Sequence, residues 1–479
     1  MGVLERLEPQ KVFSYFEAIS AIPHGSGNTA ALAAWCMDFG AARGLERHLD
    51  AGGNVILIKP ATPGYEAAPP VILQGHLDMV CEKEAGCTKD MAREGLELAV
   101  DGDDVLAVGT TLGGDDGIAV AMILAALDDD TLAHPRLEAV LTADEEIGML
   151  GAAALDAAPL QGRTLINLDS EDEGIFTVSC AGGCTAASTL PVSRAPFAGA
   201  ALRLSVAGLQ GGHSGVEIHK GLANANVVLG RALRAAAAAA PLRLVSADGG
   251  QKDNAIPVSA EAVVVTADAA AVKAAVAALA AELAAEYRAT DPGLRLEAAP
   301  AENAGLPMDG DSTGRCLCLL ACAPGGVQAM SADIPGLVQT SLNLGILRTA
   351  EDGMTASFCV RSALDSQKRM VCDRLACLTA QLGGALELRG DYPGWAYRPD
   401  SPLRERMVAV FREQYGREPV IEAIHAGVEC GLLAGKLPGL DCVSIGPALR
   451  EIHTPRERMS ISSVQRVWRF LVEVLRRSR

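Results

Sequence analysis

Short apolar runs alternate with helix-forming stretches through the first third of the chain. The runs are brief and nearly continuous, as expected for buried strands, and they predict strands at VILQG (71–75), LEAVLTA (137–143) and TLINLD (164–169). Helices are predicted around them at about 9–21, 28–44 and 117–128. This alternation of strand and helix is typical of a mostly parallel sheet with helices on both faces.

The middle of the chain has a different order of predicted elements. They are a strand at ALRLSVAG, a helix at 220–239, strands at LRLVSADGG and AEAVVVTAD, a helix at 270–287 and a strand at LRLEAAP. This βαββαβ order is that of a ferredoxin-like sandwich. A similar order follows after about 307, with a helix at 313–323, strands at VQTSLNLGIL and MTASFCVRSA, a helix at 366–382 and a strand at ALELRGD.

The parallel-sheet pattern returns near residue 392. Its predicted elements are a helix at 402–415, a strand at 419–424, a helix after Glu429, a strand at LDCVSIGP and a helix at 461–478. We therefore predict an α/β catalytic domain formed by 1–187 and 392–479. An inserted α+β lid domain of two ferredoxin-like halves, residues 188–391, interrupts it, and such an insertion can carry residues over a site.

The composition narrows the classes of function. A length of 479 residues suggests more than one domain, and a net charge of −18 argues against nucleic acid or an anionic membrane as a partner. No uninterrupted apolar stretch is long enough to span a bilayer. The N-terminus lacks a basic segment followed by an apolar one, and the 13 cysteines include no C-x-x-C pair, so we expect a cytoplasmic protein with reduced thiols.

Side chains that bind metals follow the predicted strands and one glycine turn. They are His76, Asp78, Asp115, Glu145, Glu146 and Asp169, together with a late histidine, His453. Taken singly, each has an ordinary structural explanation, such as a turn after glycines or an acidic helix start. Jointly they share one pattern, and a parallel sheet brings residues at the ends of its strands to one edge.

Imidazole nitrogen and carboxylate oxygen are the ligands that zinc-type divalent metals take. Two such metals held ~3.5–4 Å apart need a shared ligand. His76, Asp115 and Asp169 could serve one metal. Asp115, Glu146 and His453 could serve the other, with Asp115 as the bridge.

Two carboxylates remain beside this ligand set. Asp78 lies two residues after His76, so both side chains lean the same way along an extended segment, and Asp78 could orient the imidazole. Glu145 precedes a candidate ligand and is not needed as one. A free carboxylate beside a metal-bound water is the expected general base.

Five segments together resemble a known family: GHLDMVCEK, GTTLGGDDGIAVA, TADEEIGMLGA, NLDSEDEG and IHTPRE. They are similar to the motifs of the co-catalytic di-zinc peptidases related to aminoacylases and bacterial carboxypeptidases, above all the aminoacyl-histidine (Xaa-His) dipeptidases. The resemblance runs from about 10 to 470 and includes the lid. It implies two divalent metal ions, zinc with manganese or cobalt as substitutes, held by the two ligand sets given above.

The resemblance also implies roles for residues beside the metals. Glu145 would be the general base and Asp78 the orienting acid. A cis peptide bond is implied between Asp115 and Asp116. Asp116 stands where close relatives have Asn, which bears on the local hydrogen bonding.

The lid carries further candidates. By the resemblance, His213, in GLQGGHSGVEIHKG, polarises the scissile carbonyl and stabilises the oxyanion. Asn254 and Arg361 would hold the substrate, since an arginine can bind a terminal carboxylate through two hydrogen bonds. In the last segment Glu429 could meet the free amine of a dipeptide. His425 is interpreted as structural and His219 as a surface residue.

Three hypotheses about function follow. The first is a cytosolic dipeptidase that cleaves small peptides of the Xaa-His type, including β-alanyl-histidine. The second is an amidohydrolase of the same superfamily acting on N-acyl or N-carbamoyl amino acids; Glu429 and Arg361 favour the dipeptidase, since they suit the two charged ends of its substrate. The third is a metal-binding or scaffold protein without catalysis, against which the retained Glu145 argues. A homodimer is left open, as is whether His213 acts in its own chain or on a partner.

Overall fold

The computed structural model describes residues 2–302 and 305–479, which divide into two units. The first unit comprises the chain up to Ser179 together with Tyr397–Ala423 and Val428–Arg479. The second comprises Cys180–Ala396 and Ile424–Gly427. One unit is thus inserted into the sequence of the other.

The helices and strands of the chain are as follows in sequence order. The first part of the first unit contains α1 (Gln10–Ser20), α2 (Ala30–Ala42), β1 (Glu46–Leu49), β2 (Val55–Lys59), β3 (Val71–His76), β4 (Leu98–Asp101), β5 (Asp104–Ala107), α3 (Gly114–Leu127), β6 (Leu137–Thr142), α4 (Leu150–Ala154), β7 (Thr164–Asn167) and β8 (Ile175–Cys180). The second unit contains β9 (Gly182–Pro191), β10 (Ala200–Ala207), β11 (Gly212–His213), a short 3-10 helix (Ile218–Lys220), α5 (Ala225–Ala239), β12 (Leu242–Gly249), β13 (Ala255–Ile256), β14 (Ala260–Thr266), α6 (Ala269–Glu286), β15 (Arg295–Pro300), α7 (Gly310–Cys322), β16 (Gly326–Met330), β17 (Val338–Thr349), β18 (Gly353–Ser362), α8 (Asp365–Gln381) and β19 (Ala385–Tyr392). The last part contains α9 (Pro402–Tyr415), β20 (Val420–Ile424), α10 (Glu429–Lys436), β21 (Asp441–Ser444), β22 (Leu449–Arg450), β23 (Arg458–Ser460) and α11 (Ile461–Arg476).

The first unit is built on an eight-stranded sheet with the order β1-β2-β6-β3-β7-β21-β8-β20. Its central strands β6, β3, β7 and β21 pair in parallel, and antiparallel pairs flank them. A separate four-stranded sheet joins β22, β23, β5 and β4. The centre of the large sheet therefore has the parallel arrangement that presents strand ends along one edge.

Helix α3 fixes the position of the glycine turn that carries Asp115. The helix is apolar all round and buried from Asp116 to Leu127, as expected for a helix enclosed on all sides. It packs against α1 and β3. Its first residues, including Asp115, are thereby fixed beside the end of the central strand β3.

Helix α9 shows how local sequence signals set the elements of the last segment. Ser401 caps its N-terminus by accepting a hydrogen bond from the N–H of Arg404, and Pro402 occupies the first turn. Gly416 follows the helix with φ of 66°, a left-handed conformation that suits glycine. The predicted bounds of 402–415 agree with the observed helix.

The second unit is built on one nine-stranded sheet. Its strand path is β15-β10-β14-β12-β17-β18-β9-β19, with β16 paired to β17. Strands β10, β12, β14 and β15 form one half, and β9, β17, β18 and β19 form the other. If the strands of each half are numbered in sequence order, they lie side by side in the order fourth, first, third, second. This is the ferredoxin-like order. The predicted fold class is confirmed.

The second half begins earlier in the sequence than its predicted elements suggest. Its first strand, β9, precedes the whole first half, so that half is inserted after β9. The run GGCTAASTLP consists mostly of small residues and has no continuous apolar stretch, which is why the sequence pattern does not reveal it. The predicted boundary between 187 and 188 falls within this strand. Within the described residues, no helix is both long and apolar enough to cross a membrane.

Candidate active site

One aspartate, Asp115, contacts both histidines of the predicted metal site. Its Oδ1 lies 3.1 Å from Nε2 of His76, and its Oδ2 lies 3.1 Å from Nε2 of His453. A carboxylate that offers one oxygen to each side has the arrangement required of a ligand shared by two metals.

The other predicted ligands lie on the two sides of Asp115. Oδ1 of Asp169 is 3.6 Å from Nε2 of His76, and Oε1 of Glu146 is 2.9 Å from Nε2 of His453. Ligand atoms of Asp115, Glu146 and His453 all lie within 4.8 Å of one another. The structure thus brings the five residues together, while their binding of metal stays a prediction.

The fold explains why residues distant in sequence meet here. Strand β3 ends at His76, and the loops after β6 and β7 carry Glu146 and Asp169. These three strands are neighbours and parallel, so their C-terminal ends share one edge of the sheet. Asp115 comes from the start of α3 and His453 from the loop between β22 and β23.

The imidazole of His76 is oriented by a backbone group. Its Nδ1 donates a hydrogen bond to the carbonyl oxygen of Asp78 at 3.0 Å, whereas the Asp78 carboxylate is 3.5 Å away. Because a carbonyl can only accept, this bond places a proton on Nδ1 and leaves Nε2 facing Asp115 and Asp169.

The carboxylate of Asp78 holds the loop that carries the predicted base. Its Oδ1 accepts a hydrogen bond from the backbone N–H of Glu145 at 2.8 Å. Its Oδ2 accepts from the N–H of Glu146 at 3.2 Å and from the hydroxyl of Ser26 at 2.8 Å. Asp78 therefore fixes Glu145 and Glu146 through their backbone.

The cluster contains more acidic side chains than basic ones. Burial and the neighbouring Asp169 raise the pKa of Glu145 to about 9. Hydrogen bonds to Asp115 and Glu146 raise the pKa of His453 to about 10. Carboxylates crowded in this way repel one another, and divalent cations would relieve that repulsion. The nitrogen and oxygen donors present therefore fit a dinuclear metal site.

Asp116 has a defined partner beside this cluster. The peptide bond between Asp115 and Asp116 is cis, as the resemblance implied. Oδ2 of Asp116 accepts a hydrogen bond from the backbone N–H of His76 at 3.0 Å. Burial and then Asp169 raise the pKa of Asp116 well above its usual range. An aspartate here supplies an acceptor oxygen to the segment that carries the predicted ligand His76.

Glu429 lies at the start of α10 and is fully buried. Its Oε2 accepts hydrogen bonds from Nε2 of Gln74 at 2.6 Å and from the hydroxyl of Thr142 at 2.7 Å, whereas Oε1 has no partner. Burial raises the pKa of Glu429 to about 7. The carboxylate is thus held on one side only, beneath the ends of β3 and β6.

The predicted lid residues lie close together within the second unit. Asn254 and Arg361 line one cavity of about 640 Å³. A Cβ added at Gly215 would lie 3.0 Å from Cε1 of His213 and 3.2 Å from Nε of Arg361, so both side chains lie close to that glycine. The Nε of Arg361 is buried without a hydrogen-bond partner.

His213 is arranged as a hydrogen-bond donor. Its Nδ1 accepts from the backbone N–H groups of Gly215 at 3.3 Å and Val216 at 3.2 Å. Burial and then the charge of Arg361 lower the pKa of His213, which favours the neutral ring. With Nδ1 as the acceptor, the neutral ring carries its proton on Nε2.

The two other histidines singled out in the sequence differ in burial. His425 is buried, and its Nε2 is 2.8 Å from the hydroxyl of Ser341. Burial and then Arg361 lower the pKa of His425 to about 3, so the ring is neutral. His219 is exposed.

Sequence reasoning missed three polar residues around the cluster. Ser26 binds the carboxylate of Asp78, although 52 positions separate them. Burial and the nearby Asp115 raise the pKa of Glu171 to about 7. Glu457 binds the turn before Asp115 from 343 positions away. Ser26 and Glu457 lie in PHGSGN and IHTPRE, yet no local signal identifies partners so distant in sequence.

Comparison with known protein families matches residues 72–477 to peptidase family M20/M25/M40. The chain belongs to this family. Over 482 residues it is 38% identical to the cytosol non-specific dipeptidase of Escherichia coli (strain K12), covering 99% of each chain. The predicted family relationship is confirmed.

Solved structures agree with the family assignment. The crystal structure of aminoacylhistidine dipeptidase from Vibrio alginolyticus matches with a TM-score of 0.93 at 35% identity, covering 98% of this chain and 97% of that one. A tripeptidase from Staphylococcus aureus matches with a TM-score of 0.57 at 15% identity, covering 98% and 99%. The second likeness concerns the fold alone.

Proposed function

We propose that this member of the M20/M25/M40 family is a metal-dependent dipeptidase. Its expected substrates are dipeptides, above all Xaa-His peptides including β-alanyl-histidine. The observation that carries the proposal is Asp115, whose two oxygens each face a different histidine at 3.1 Å. The two full-length relatives, named as dipeptidases, support the choice of substrate class.

The proposed metal ligands form two sets. His76, Asp115 and Asp169 hold one ion. Asp115, Glu146 and His453 hold the other. The mixture of imidazole and carboxylate donors suits zinc, and manganese or cobalt should substitute. Bound together, the two ions would lower the pKa of a water held between them.

Glu145 is the proposed general base. Oδ1 of Asp78 accepts a hydrogen bond from the backbone N–H of Glu145 at 2.8 Å, so the loop that carries the Glu145 carboxylate is held in place. Glu145 would take the proton of the attacking water and pass it to the leaving amine. The same carboxylate therefore serves as base and then as acid within one turnover.

The lid residues have proposed roles in binding the substrate. His213 would donate from Nε2 to the carbonyl oxygen as negative charge develops there, which its tautomer and neutral ring support. Arg361 would bind the terminal carboxylate, and its unpartnered Nε supports this. Asn254 lines the same cavity and would bind the peptide beside it.

Glu429 is the proposed partner of the free amine of the dipeptide. Its Oε1 has no donor, while Oε2 is held by Gln74 and Thr142. A substrate amine is the kind of cationic donor that such an oxygen accepts. Because N-acyl amino acids lack this amine, Glu429 favours the dipeptidase over the amidohydrolase alternative.

A substrate panel tests the proposal. The protein is reconstituted with zinc and assayed with β-alanyl-histidine, α-Xaa-His peptides, other dipeptides, tripeptides and N-acetyl amino acids, with a chelated control. We expect cleavage confined to dipeptides and lost with the chelator. Cleavage of the N-acetyl amino acids alone would overturn the proposal in favour of an amidohydrolase and remove the role of Glu429.

We also propose that the enzyme is cytoplasmic. The E. coli relative is named a cytosol enzyme, which supports a cytoplasmic location.

Mixing His213→Ala protein with Glu145→Ala protein tests for a homodimer in which His213 serves the partner. Recovered activity would show exchange between subunits, and none would show that His213 acts in its own chain.

A further inference from the structure

Glu457 places its carboxylate against the backbone of the turn that precedes Asp115. Its Oε2 accepts hydrogen bonds from the N–H groups of Leu112 at 2.7 Å and Gly113 at 3.1 Å. Its Oε1 accepts from Gly114 at 2.8 Å and from Asp115 itself at 3.4 Å. Glu457 is only 3% exposed. One buried carboxylate therefore binds four successive backbone donors.

The turn has a shape that requires such an acceptor. Gly113 has φ of 66°, and a Cβ there would lie 2.8 Å from Sδ of Met79. Successive N–H groups in a turn of this kind point to one side and form a concave anion-binding surface. Buried N–H groups left without a partner are strongly unfavourable. Here the chain supplies the anion from Glu457.

Glu457 also belongs to the loop that carries His453. This loop joins the paired strands β22 and β23, and the N–H of Glu457 donates to the carbonyl of Thr454 at 3.1 Å. His453 has φ of 59°, a left-handed conformation that a residue other than glycine holds only with support from its surroundings. One residue therefore connects the turn before Asp115 with the loop of His453.

We propose that Glu457 is a positioning residue for the metal site formed by Asp115, Glu146 and His453. This inference rests on the proposed function, because it takes these three residues to be metal ligands. Both oxygens of Glu457 are engaged by backbone N–H groups, so it acts through the ligands. It fixes the backbone on two sides of the site before a metal arrives.

Loss of this support should appear first in metal affinity. Ligands whose geometry is fixed in advance lose less freedom on binding. Partners that orient metal ligands typically contribute roughly 10–100-fold to affinity. Asp115 belongs to both sets, whereas the loop that carries His453 and Glu457 serves only one, so the larger effect should fall on the ion held by Asp115, Glu146 and His453.

The test compares Glu457→Gln with a matched control, Glu138→Gln. Glutamine keeps the size but replaces one acceptor oxygen by an N–H donor that would face other donors. Glu138 is also fully buried and accepts from the N–H groups of Gln161 at 3.0 Å and Gly162 at 2.9 Å. It lies near the start of β6, at the end of the strand opposite to the loop of Glu146.

Zinc is titrated calorimetrically into each protein after metal has been stripped with a chelator. We expect Glu457→Gln to bind one of two zinc ions roughly 10–100-fold more weakly than the wild type, and Glu138→Gln to bind both as the wild type does. Wild-type affinity at both sites of Glu457→Gln, or an equal loss in Glu138→Gln, would overturn the positioning role. A wild-type protein that binds no metal would instead contradict the proposed function.

Hydrogen exchange supplies a test on the wild-type protein itself. In the metal-free wild-type protein the amides of residues 112–115 should be protected, because Glu457 binds them without a metal. Exchange of these amides as fast as in an exposed loop would overturn the proposal. Glu457→Asp should lose that protection, since its shorter side chain cannot reach all four donors.

Discussion

Two carboxylates near the ligand cluster, Glu145 and Glu429, differ in what holds them. Glu145 is carried on a loop tied to Asp78 and has its pKa raised to about 9 by burial and Asp169. Glu429 is fully buried, and Gln74 and Thr142 bind one of its oxygens. Burial raises the pKa of both carboxyls, so both make folding sensitive to pH, and Glu429 can be tested apart from the proposed base.

Glu429 should make the metal-free protein less stable as the pH rises. Its pKa is raised by burial to about 7, from an ordinary value of 4.5. Below pH 4.5 the carboxyl is protonated in both states and its stabilising contribution is complete. Between pH 4.5 and 7 only the folded state keeps the proton, so that contribution falls, by on the order of 3 kcal/mol in total.

Urea unfolding of the wild type and Glu429→Gln at pH 5 and pH 8, with a chelator present, measures this effect. The variant should gain stability relative to the wild type between the two pH values. Glu422→Gln, on an exposed part of β20, controls for loss of a surface carboxylate. A difference between wild type and Glu429→Gln that does not change with pH would show that Glu429 does not titrate in this range.

At the scale of elements, a few tight connections carry the proposed ligands. The turn before α3 carries Asp115, the loop after β6 carries Glu146, and the β22–β23 loop carries His453. The loop after β6 starts at a strand of the parallel sheet, whereas the turn follows β5 and the last loop joins two strands of the four-stranded sheet. The exact course of these connections depends on local conformations, such as Gly113 with φ of 66°.

Replacing Gly113 by alanine should lower the free energy of unfolding by more than the backbone conformation alone explains. Gly416, after α9, has the same φ of 66° but nothing within 4 Å of an added Cβ, whereas a Cβ on Gly113 meets Met79. Gly416→Ala should cost about 1–2 kcal/mol for the left-handed conformation. Gly113→Ala should cost a further ~1–3 kcal/mol for overpacking.

The free energy of unfolding of both variants, from urea titration, checks this prediction. Gly416→Ala serves as the matched control, because it has the strained φ without the contact. Equal losses in the two variants would show that the side chain of Met79 gives way and that the turn is not tightly packed.

The strands that carry proposed ligands were predictable from their apolar runs, whereas strand β9 was not. Strand β3 and the ends of β6 and β7 could be located from VILQG, LEAVLTA and TLINLD, and this placed three proposed ligands, His76, Glu146 and Asp169, on one edge. Strand β9 was not predicted because it consists mostly of small residues and has no continuous apolar stretch. The hydrogen bonds between Glu457 and the turn before Asp115 were not predicted, because they join segments that only the folded chain brings together.

At the scale of the whole molecule, the chain combines two units with separate tasks. The first unit gathers the proposed ligands and Glu145, and the second gathers His213, Asn254 and Arg361. The sequence pattern predicts an insertion at 188–391, and the second unit comprises Cys180–Ala396 and Ile424–Gly427. Membership of the M20/M25/M40 family agrees with this division along residues 72–477.

The central claim is that turnover requires bound metal together with Glu145. The most direct test measures dipeptide hydrolysis while zinc is added back to chelator-stripped wild-type protein and to Glu145→Gln. We predict that the stripped wild type is inactive and regains activity with two zinc ions per chain. Glu145→Gln should bind the same zinc yet turn over roughly 10²–10⁴-fold more slowly. Undiminished hydrolysis by the stripped protein, or substantial activity in Glu145→Gln, would contradict the account.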